Sequence, residues 1–400
     1  MFILKLLFGL AVVGTFTSTI FLLLTIAGYV RFKRQARRAK EKFAKIRDFP
    51  AVSVLKPVHG LEAQLKENIE SFFQQDYPAY EILFAAEGGD DPALEVVREV
   101  SARYPKISTQ ILLTGKPPWA NPPAFAFYRM AEVARYEILV TSDSDVEVLP
   151  NYLRDVVAAM LEPKVGMVTC VYRGKNAAGF WSGLTAIGMS VEMTAGVLVA
   201  NLMEGIKFGL GPTIAVSKKA LKSIGGFEAV GEYFANDFVI GNFIDKAGYR
   251  VLLSHHTINH VVEQKTFKKM WISQLRWATS TRYSRPVGHL GTGLIFAMPF
   301  GLLGLVTGIM LNRPMWGVAM LAAAVLNRVL ESVMVGWEVV RDPVALKKFW
   351  LYPLRDLLGF AVWVASFVNA QTVWRDTEYE LKGDKIVLRK GSAATPSTGH

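Results

Sequence analysis

Residues 6–30 form an apolar run whose only nearby charge on the N-terminal side is Lys5. At 1.5 Å per helical residue such a run crosses roughly 30 Å of hydrocarbon, so the pattern predicts a membrane-anchoring helix. From residue 48 onward the period changes. Short apolar runs at 51–55 (AVSVL), 80–86 (YEILFAA), 107–113 and 136–142 (YEILVTS) read as buried strands, with 56–60 (KPVHG) as the loop after the first. Helical periodicity fills the intervals at 61–74, 91–104 and 124–134. This alternation predicts an α/β domain with a mostly parallel sheet and helices on both faces, where ligands bind at the carboxyl ends of the strands.

Beyond residue 285 the chain turns apolar again at 290–311, 315–337 and 349–370. The first two read as membrane helices. Asn327, Arg328 and Glu331 in the second are expensive in lipid and are expected to face a bundle interior or the domain. The third carries Arg355 and Asp356 near its start, which leaves 357–370 short; spanning and interfacial placement both stay open. The expected organisation is a transmembrane helix (1–30), a basic linker (31–47), a globular domain (48–285), membrane helices (286–372) and a polar tail (373–400) with a disordered end over 391–400.

Charge orients this layout. Residues 31–47 hold nine Lys and Arg against the single Glu41, most of the formal net charge of +11. A basic cluster is also a nucleic-acid signal, but one that directly follows an apolar span reads as a cytoplasmic flank, with Met1 outside. Basic residues after the apolar run, rather than before it, also argue against a cleaved signal peptide. The loop 341–348 (RDPVALKK) fits the cytoplasm too. Three full spans after a cytoplasmic domain leave the tail outside, despite its Arg375, Lys382, Lys385, Arg389 and Lys390.

Composition narrows the class further. A hydrophobic content of 51% and mean hydropathy of +0.26 exclude an ordinary soluble enzyme and any disordered or collagen-like chain. The lone Cys170 excludes an intrachain disulfide framework, and His255, His256 and His260 lack the further ligands of a zinc site.

Three places carry candidate chemistry. Asp143-Ser144-Asp145 ends an apolar strand, where carboxylates at i and i+2 can reach one hard cation and a nucleotide; an acidic solvated turn gives the same triplet. Asp237, in GEYFANDFVI, opens a helical segment and reads either as a first-turn charge or as a general base. Arg276 and Trp277 lie on an amphipathic segment beside the membrane, a common position for interfacial anchors.

In this order the pieces resemble a known family, over about residues 1–380. The resemblance is carried by VSVLKPVHGLE (52–62), SFFQQDYPAYEILF (71–84), DDPA (90–93), SDSDVEVLP (142–150), SKKALKSIGGFEAVGEYFANDF (217–238) and QLRW (274–277). The chain looks like a ceramide glucosyltransferase-type, membrane-anchored inverting glycosyltransferase of the GT-A fold, and is similar also to bacterial hopanoid glycosyltransferases. The resemblance implies that Asp91 lies at the nucleotide, that Asp143 and Asp145 serve the UDP-sugar, and that Asp145 holds its Mg²⁺ or Mn²⁺. It implies that Asp237 is the general base, and that Arg276 and Trp277 lie over the donor diphosphate and the acceptor. The implied partners are a UDP-sugar, a ceramide-like membrane lipid and the bilayer, with the catalytic domain facing the cytoplasm and no nucleic acid.

The chain departs from the family pattern in three places. Ser273 stands where the family has Gln or Arg, with Gln274 displaced by one; Asn121-Pro122-Pro123 replaces Asn-Pro-Lys; and 177–191 is wholly uncharged and lacks a usual histidine. Lys116 and Arg129 are the cations that could stand in at the second. The competing readings are a hopanoid or diacylglycerol glycosyltransferase, a processive polysaccharide synthase, and an inactive transferase-like scaffold. The retained Asp91, Asp143, Asp145, Asp237 and Arg276 argue against the last.

Overall fold

A computed structural model describes residues 1–368, 371–374, 377–382 and 385–388. They fall into two compact units. One comprises 36–171, 206–261 and the tail from 370; the other comprises 1–35, 172–205 and 262–369.

The first unit is organised by an eight-stranded sheet. Its strands are β1 (Val52–Pro57), β2 (Tyr80–Ala86), β3 (Ser108–Leu113), β4 (Ile138–Ser142), β5 (Val146–Glu147), β6 (Val165–Asn176), β7 (Thr213–Ser217) and β8 (Arg250–Val262), in the order β3-β2-β1-β4-β7-β6-β8-β5. The α/β class is as expected, but the sheet is only half parallel. β1 pairs in parallel with β2 and β4, and β2 with β3. Beyond β4 the direction reverses, since β4–β7, β6–β7 and β5–β8 are antiparallel. The parallel half follows from strands covered on both faces: every residue of β1 is buried, and helices Leu65–Phe73, Ala93–Ala102 and Pro122–Val133 connect these strands. Lys56 and Pro57, expected in a loop, complete β1 instead.

The tail adds a feature the polar composition did not suggest. β9 (Gln371–Trp374), β10 (Thr377–Lys382) and β11 (Lys385–Leu388) form a three-stranded antiparallel sheet. The expectation of disorder over 391–400, and the tail charges Arg375, Arg389 and Lys390, lie outside the described residues.

The second unit is helical. Helix Phe2–Phe43 continues from the apolar run through the basic stretch, and buries a stripe of small residues that includes Ala11, Gly14, Ser18, Thr25 and Gly28. Gly28 is required there, because a Cβ would lie 2.7 Å from the Leu198 carbonyl oxygen. Among the described residues three helices are long and apolar enough to cross a membrane: Phe2–Phe43, Phe180–Met203 and Pro314–Val339. Two expectations change here. Residues 290–311 break into Pro286–Thr292 and the 13-residue helix Met298–Met310, which at 1.5 Å per residue falls well short of a ~30 Å span. The apolar helix within 180–203, in contrast, was read as part of the globular domain.

Arg328 and Glu331 are buried as expected, and so is Asn327. The Arg328 guanidinium lies 2.8 Å from Glu331 Oε2 and 3.1 Å from Asp356 Oδ1, and donates to Asn327 Oδ1. Asp356 Oδ2 in turn accepts from the amides of Ala297 and Met298, capping the helix that starts there. A charge that is paired and hydrogen-bonded on all sides is the form in which lipid-surrounded helices tolerate ionisable residues. The helix Tyr352–Ser366, which carries Arg355 and Asp356, has 15 residues and is not among the three long helices.

Candidate active site

The carboxyl end of β4 gathers the acidic residues. Asp143 follows Ser142, the last residue of β4, and its amide donates to the Pro212 carbonyl at 3.1 Å. That bond follows from the antiparallel β4–β7 register, in which Ser142 opposes Thr213. The Asp143 carbonyl accepts from Lys56 Nζ at 2.6 Å, and the ammonium also lies 4.1 Å from the centre of the Phe72 ring. Burial pushes the Lys56 amine down to about 7, against the opposing pull of Asp145, Asp143 and Glu62. Lys56 is fully buried, so it cannot touch a ligand; it pins the strand end from beneath.

Asp145 Oδ2 lies 2.9 Å from His260 Nε2, on β8, and the Asp145 carbonyl accepts from the Val261 amide. Burial opposes ionisation of Asp145, but the charge and hydrogen bond of His260, together with Lys56, hold its carboxyl below the usual range. Burial likewise lowers His260, and Asp145, Asp143 and Glu62 outweigh it and raise the imidazole. Asp145 Oδ1 is buried and has no hydrogen-bond partner. Between the two aspartates Ser144 is tied down, donating to Glu62 Oε2 at 2.5 Å while its carbonyl accepts from Asn68.

Asp91 works at the neighbouring strand end. Its Oδ1 accepts from the amides of Ala93 and Gly60, both at 2.9 Å, so one carboxylate ties the loop after β2 to the loop after β1. The Gly60 φ of +63° is the left-handed value that glycine takes without strain. His59 Nδ1 lies 3.4 Å from Asp91 Oδ2.

Asp237 sits in the first turn of helix Asn236–Lys246, where the unpaired amides favour an anion. Its own amide is held by Asn236 Oδ1 at 2.8 Å, and its carbonyl accepts from Gly209 at 3.1 Å. Burial pushes the Asp237 carboxyl up to about 6, moderated by the amides of Phe238, Asp237 itself and Gly211. The chain 209–212 therefore serves both acidic residues: Gly211 faces the Asp237 carboxylate, and Pro212 receives the Asp143 amide. A Cβ on Gly211 would lie 3.1 Å from Asp237 Oδ2. The loop before Asp237 is fixed by Asn121, whose amide donates to Gly231 O and whose side chain donates to Tyr233 O.

These contacts bring Asp143, Asp145 and Asp237 to one end of the sheet in the first unit, with Asp91 on the adjacent loops. Sequence reasoning missed four of the participants. Lys56 lay in an apparent loop, His260 was set aside with its neighbours as a poor zinc ligand, and Glu62 and Gly211 were given no role. The alternation of β8 was the available signal for His260. Asn121 is spent as a helix cap, its Oδ1 accepting from the Ala124 amide, and Pro122 and Pro123 occupy first-turn positions where no amide is needed. Arg129 Nε lies 3.3 Å from Glu132.

In the second unit, helix Phe267–Ser284 carries the Arg-Trp pair. The Arg276 guanidinium lies 5.8 Å from the Trp277 ring centre, and Trp277 packs on a small core of Ala186, Met189 and Val262. Gln274, the residue displaced by one in the family element, is buried and accepts from Arg355 Nη2 at 2.7 Å; Arg355 Nη2 also lies 3.0 Å from Glu192.

A divalent cation is the group the sequence resemblance implies. Among the described residues no three His, Cys, Asp or Glu side chains gather as a metal cage. The buried, unpartnered Asp145 Oδ1 nevertheless fits a hard cation that takes its remaining ligands from a bound diphosphate.

Residues 7–387 match the description of glycosyl transferase family 21. Ceramide glucosyltransferase 1 of Caenorhabditis elegans is 27% identical over 359 residues, covering 87% of this chain and 75% of the relative. Ceramide glucosyltransferase 3 of the same organism is 25% identical over 382 residues, covering 93% and 81%. Among solved structures, the mannosyltransferase PcManGT of Pyrobaculum calidifontis, in complex with GDP-Man and Mn²⁺, aligns with 88% of this chain and 98% of its own at 19% identity and a TM-score of 0.48.

Proposed function

We propose a substrate pair and a mechanism for a chain that belongs to glycosyl transferase family 21 and is therefore a transferase. It moves a hexose, with glucose favoured, from a UDP-sugar to a hydroxyl of a membrane lipid, with a ceramide-like acceptor favoured. The names of the two nematode relatives support the lipid. So do the three long apolar helices, because a catalyst tied to the bilayer shares a surface with a hydrophobic acceptor. The observation that carries the chemistry is Asp237, a partly exposed carboxyl raised to about 6 and held in place by backbone amides.

In this reading Asp237 is the general base. A carboxyl near 6 is roughly nine-tenths ionised at pH 7, yet more basic than an ordinary aspartate, which suits it to take the proton of an attacking hydroxyl. Direct attack of that hydroxyl on the anomeric carbon inverts its configuration. Asp91, with the loops it joins, borders the nucleotide. Asp143 and Asp145 would face the donor diphosphate, and Asp145 would hold a divalent cation through the oxygen that has no protein partner. The cation, when bound, neutralises charge that develops on the leaving diphosphate. Lys56 and His260 fix the two aspartates in position. Arg276 and Trp277 keep the roles the family resemblance implies, at the diphosphate and the acceptor.

The basic stretch 31–47 supports a cytoplasmic position for the catalytic unit, by the positive-inside rule. Mass spectrometry of lipids from a host with and without the gene tests the reaction. A gene-dependent hexosyl lipid is expected; an unchanged lipid profile contradicts it.

A further inference from the structure

The loop that leads into the Asp237 helix is held from two sides by elements far away in sequence. On one side Asn121 receives it through the two bonds described above, and Gly231 packs under the Trp119 ring so closely that a Cβ would lie 2.6 Å from it. On the other side stands the C-terminal sheet. The Ile386 amide donates to the Glu232 carbonyl at 2.9 Å, and Tyr233 and Lys385 form an antiparallel bridge. Lys385 Nζ lies 3.1 Å from Glu232 Oε2 and 5.6 Å from the centre of the Tyr233 ring. Ile386 is buried although its neighbours Lys385 and Val387 are exposed.

We propose that strand Lys385–Leu388 is a positioning clamp for the catalytic loop, in which Ile386 and Lys385 hold residues 232–233 so that Asp237 meets the acceptor hydroxyl. The proposal rests on the reading of Asp237 as the base. Only three residues separate Tyr233 from Asp237, so a shift of the loop is passed to the first turn of the helix. The exposed ion pair of Lys385 contributes little by itself. The clamp therefore depends on the backbone bond and the burial of Ile386, with Lys385 fixing the register of the bridge. Among the described residues Asn121 holds the carbonyls of Gly231 and Tyr233, and without β11 the Glu232 carbonyl between them has no described partner. The fold gives a reason for the tail to be part of the enzyme, since strands Thr377–Lys382 and Lys385–Leu388 belong to the same compact unit as Asp237.

The test uses the full-length protein in lipid nanodiscs with UDP-glucose and ceramide. Ile386→Pro removes the amide donor, Ile386→Ala removes the buried side chain, and Lys385→Ala and Lys385→Arg remove and keep the cation. The expected result for Ile386→Pro is a roughly tenfold loss of kcat, the scale of a slightly misplaced catalytic group, with donor KM changed less than twofold. Ile386→Ala and Lys385→Ala lose less, and Lys385→Arg recovers the wild-type rate. In an Asp237→Asn background Ile386→Pro has no further effect, because the group it positions is gone. Wild-type kcat in Ile386→Pro, or equal losses in the two backgrounds, overturns the clamp. If Asp237→Asn by itself transfers at near wild-type rate, the reading of the base fails instead, whatever the tail variants do.

Discussion

Asp237→Asn separates catalysis from stability, because the structure gives the two effects opposite signs. Burial raises the carboxyl from 3.8 to about 6. A carboxyl whose folded pKa exceeds its unfolded value costs stability when ionised: the cost is absent below the unfolded pKa, grows between pH 4 and 6, and is complete above 6. A rise of this size corresponds to about 3 kcal/mol, and partial exposure of the side chain brings this to about 2 kcal/mol. Asparagine carries no charge and keeps the volume, so the variant is expected to melt a few degrees higher at pH 7.5 and to match the wild type at pH 4. Transfer to lipid falls at least ~10²-fold, or about 3 kcal/mol of transition-state stabilisation, because the hydroxyl proton loses its acceptor. The wild-type kcat should have an acid limb centred near pH 6, falling about tenfold per unit below it, and the variant should lack that limb. Differential scanning fluorimetry and a radiolabelled transfer assay on one preparation measure both quantities. A variant that is both less stable and inactive would show that Asp237 acts through folding; a variant with near wild-type transfer would show that the base lies elsewhere.

Three further outcomes follow from the same geometry. Gly211→Ala places a methyl 3.1 Å from Asp237 Oδ2 without straining the backbone, and is expected to lower kcat roughly tenfold while UDP-sugar affinity, measured by calorimetry, stays within twofold. Asp145→Ala is expected to abolish transfer, and excess EDTA to do the same to the wild type; full turnover in EDTA contradicts the cation's role. Cysteines placed within 31–47 and 341–348 should resist an impermeant reagent applied to intact cells, and labelling of either from outside reverses the orientation.

The parallel half of the sheet could be read along the chain because its information is local. The strand expected over residues 80–86 is β2 over that span; β1 starts one residue and ends two residues later than expected, while β3 and β4 start one and two residues later and end as expected. The antiparallel half was not legible, because pairing of β4 with β7 depends on contacts about 75 residues apart rather than on periodicity. The same limit applies to the site. Asp143, Asp145 and Asp237 stood out as charges at the ends of apolar runs, whereas Lys56 is identified only by the carbonyl it reaches across the sheet. In the membrane-side unit hydropathy located three long helices imperfectly. Gly and Pro residues near 293 and 299 shorten one apolar run, and the apolar character of 180–203 was outweighed by its position inside an α/β pattern. The tail hairpin was hidden by its charge, because Glu378, Glu380, Lys382, Asp384 and Lys385 leave the apolar runs within 377–388 too short to stand out.

The central claim is direct, base-assisted transfer of a hexose to a lipid hydroxyl, and the stereochemistry of the product tests it most closely. Purified protein in nanodiscs is supplied with UDP-glucose, whose sugar is α-linked, ceramide and Mn²⁺, and the lipid product is analysed by proton NMR at the anomeric position. The account predicts a β-linked glucosyl lipid, with UDP released in equal amount. An α-linked product, or UDP release with free glucose and no glycolipid, contradicts it.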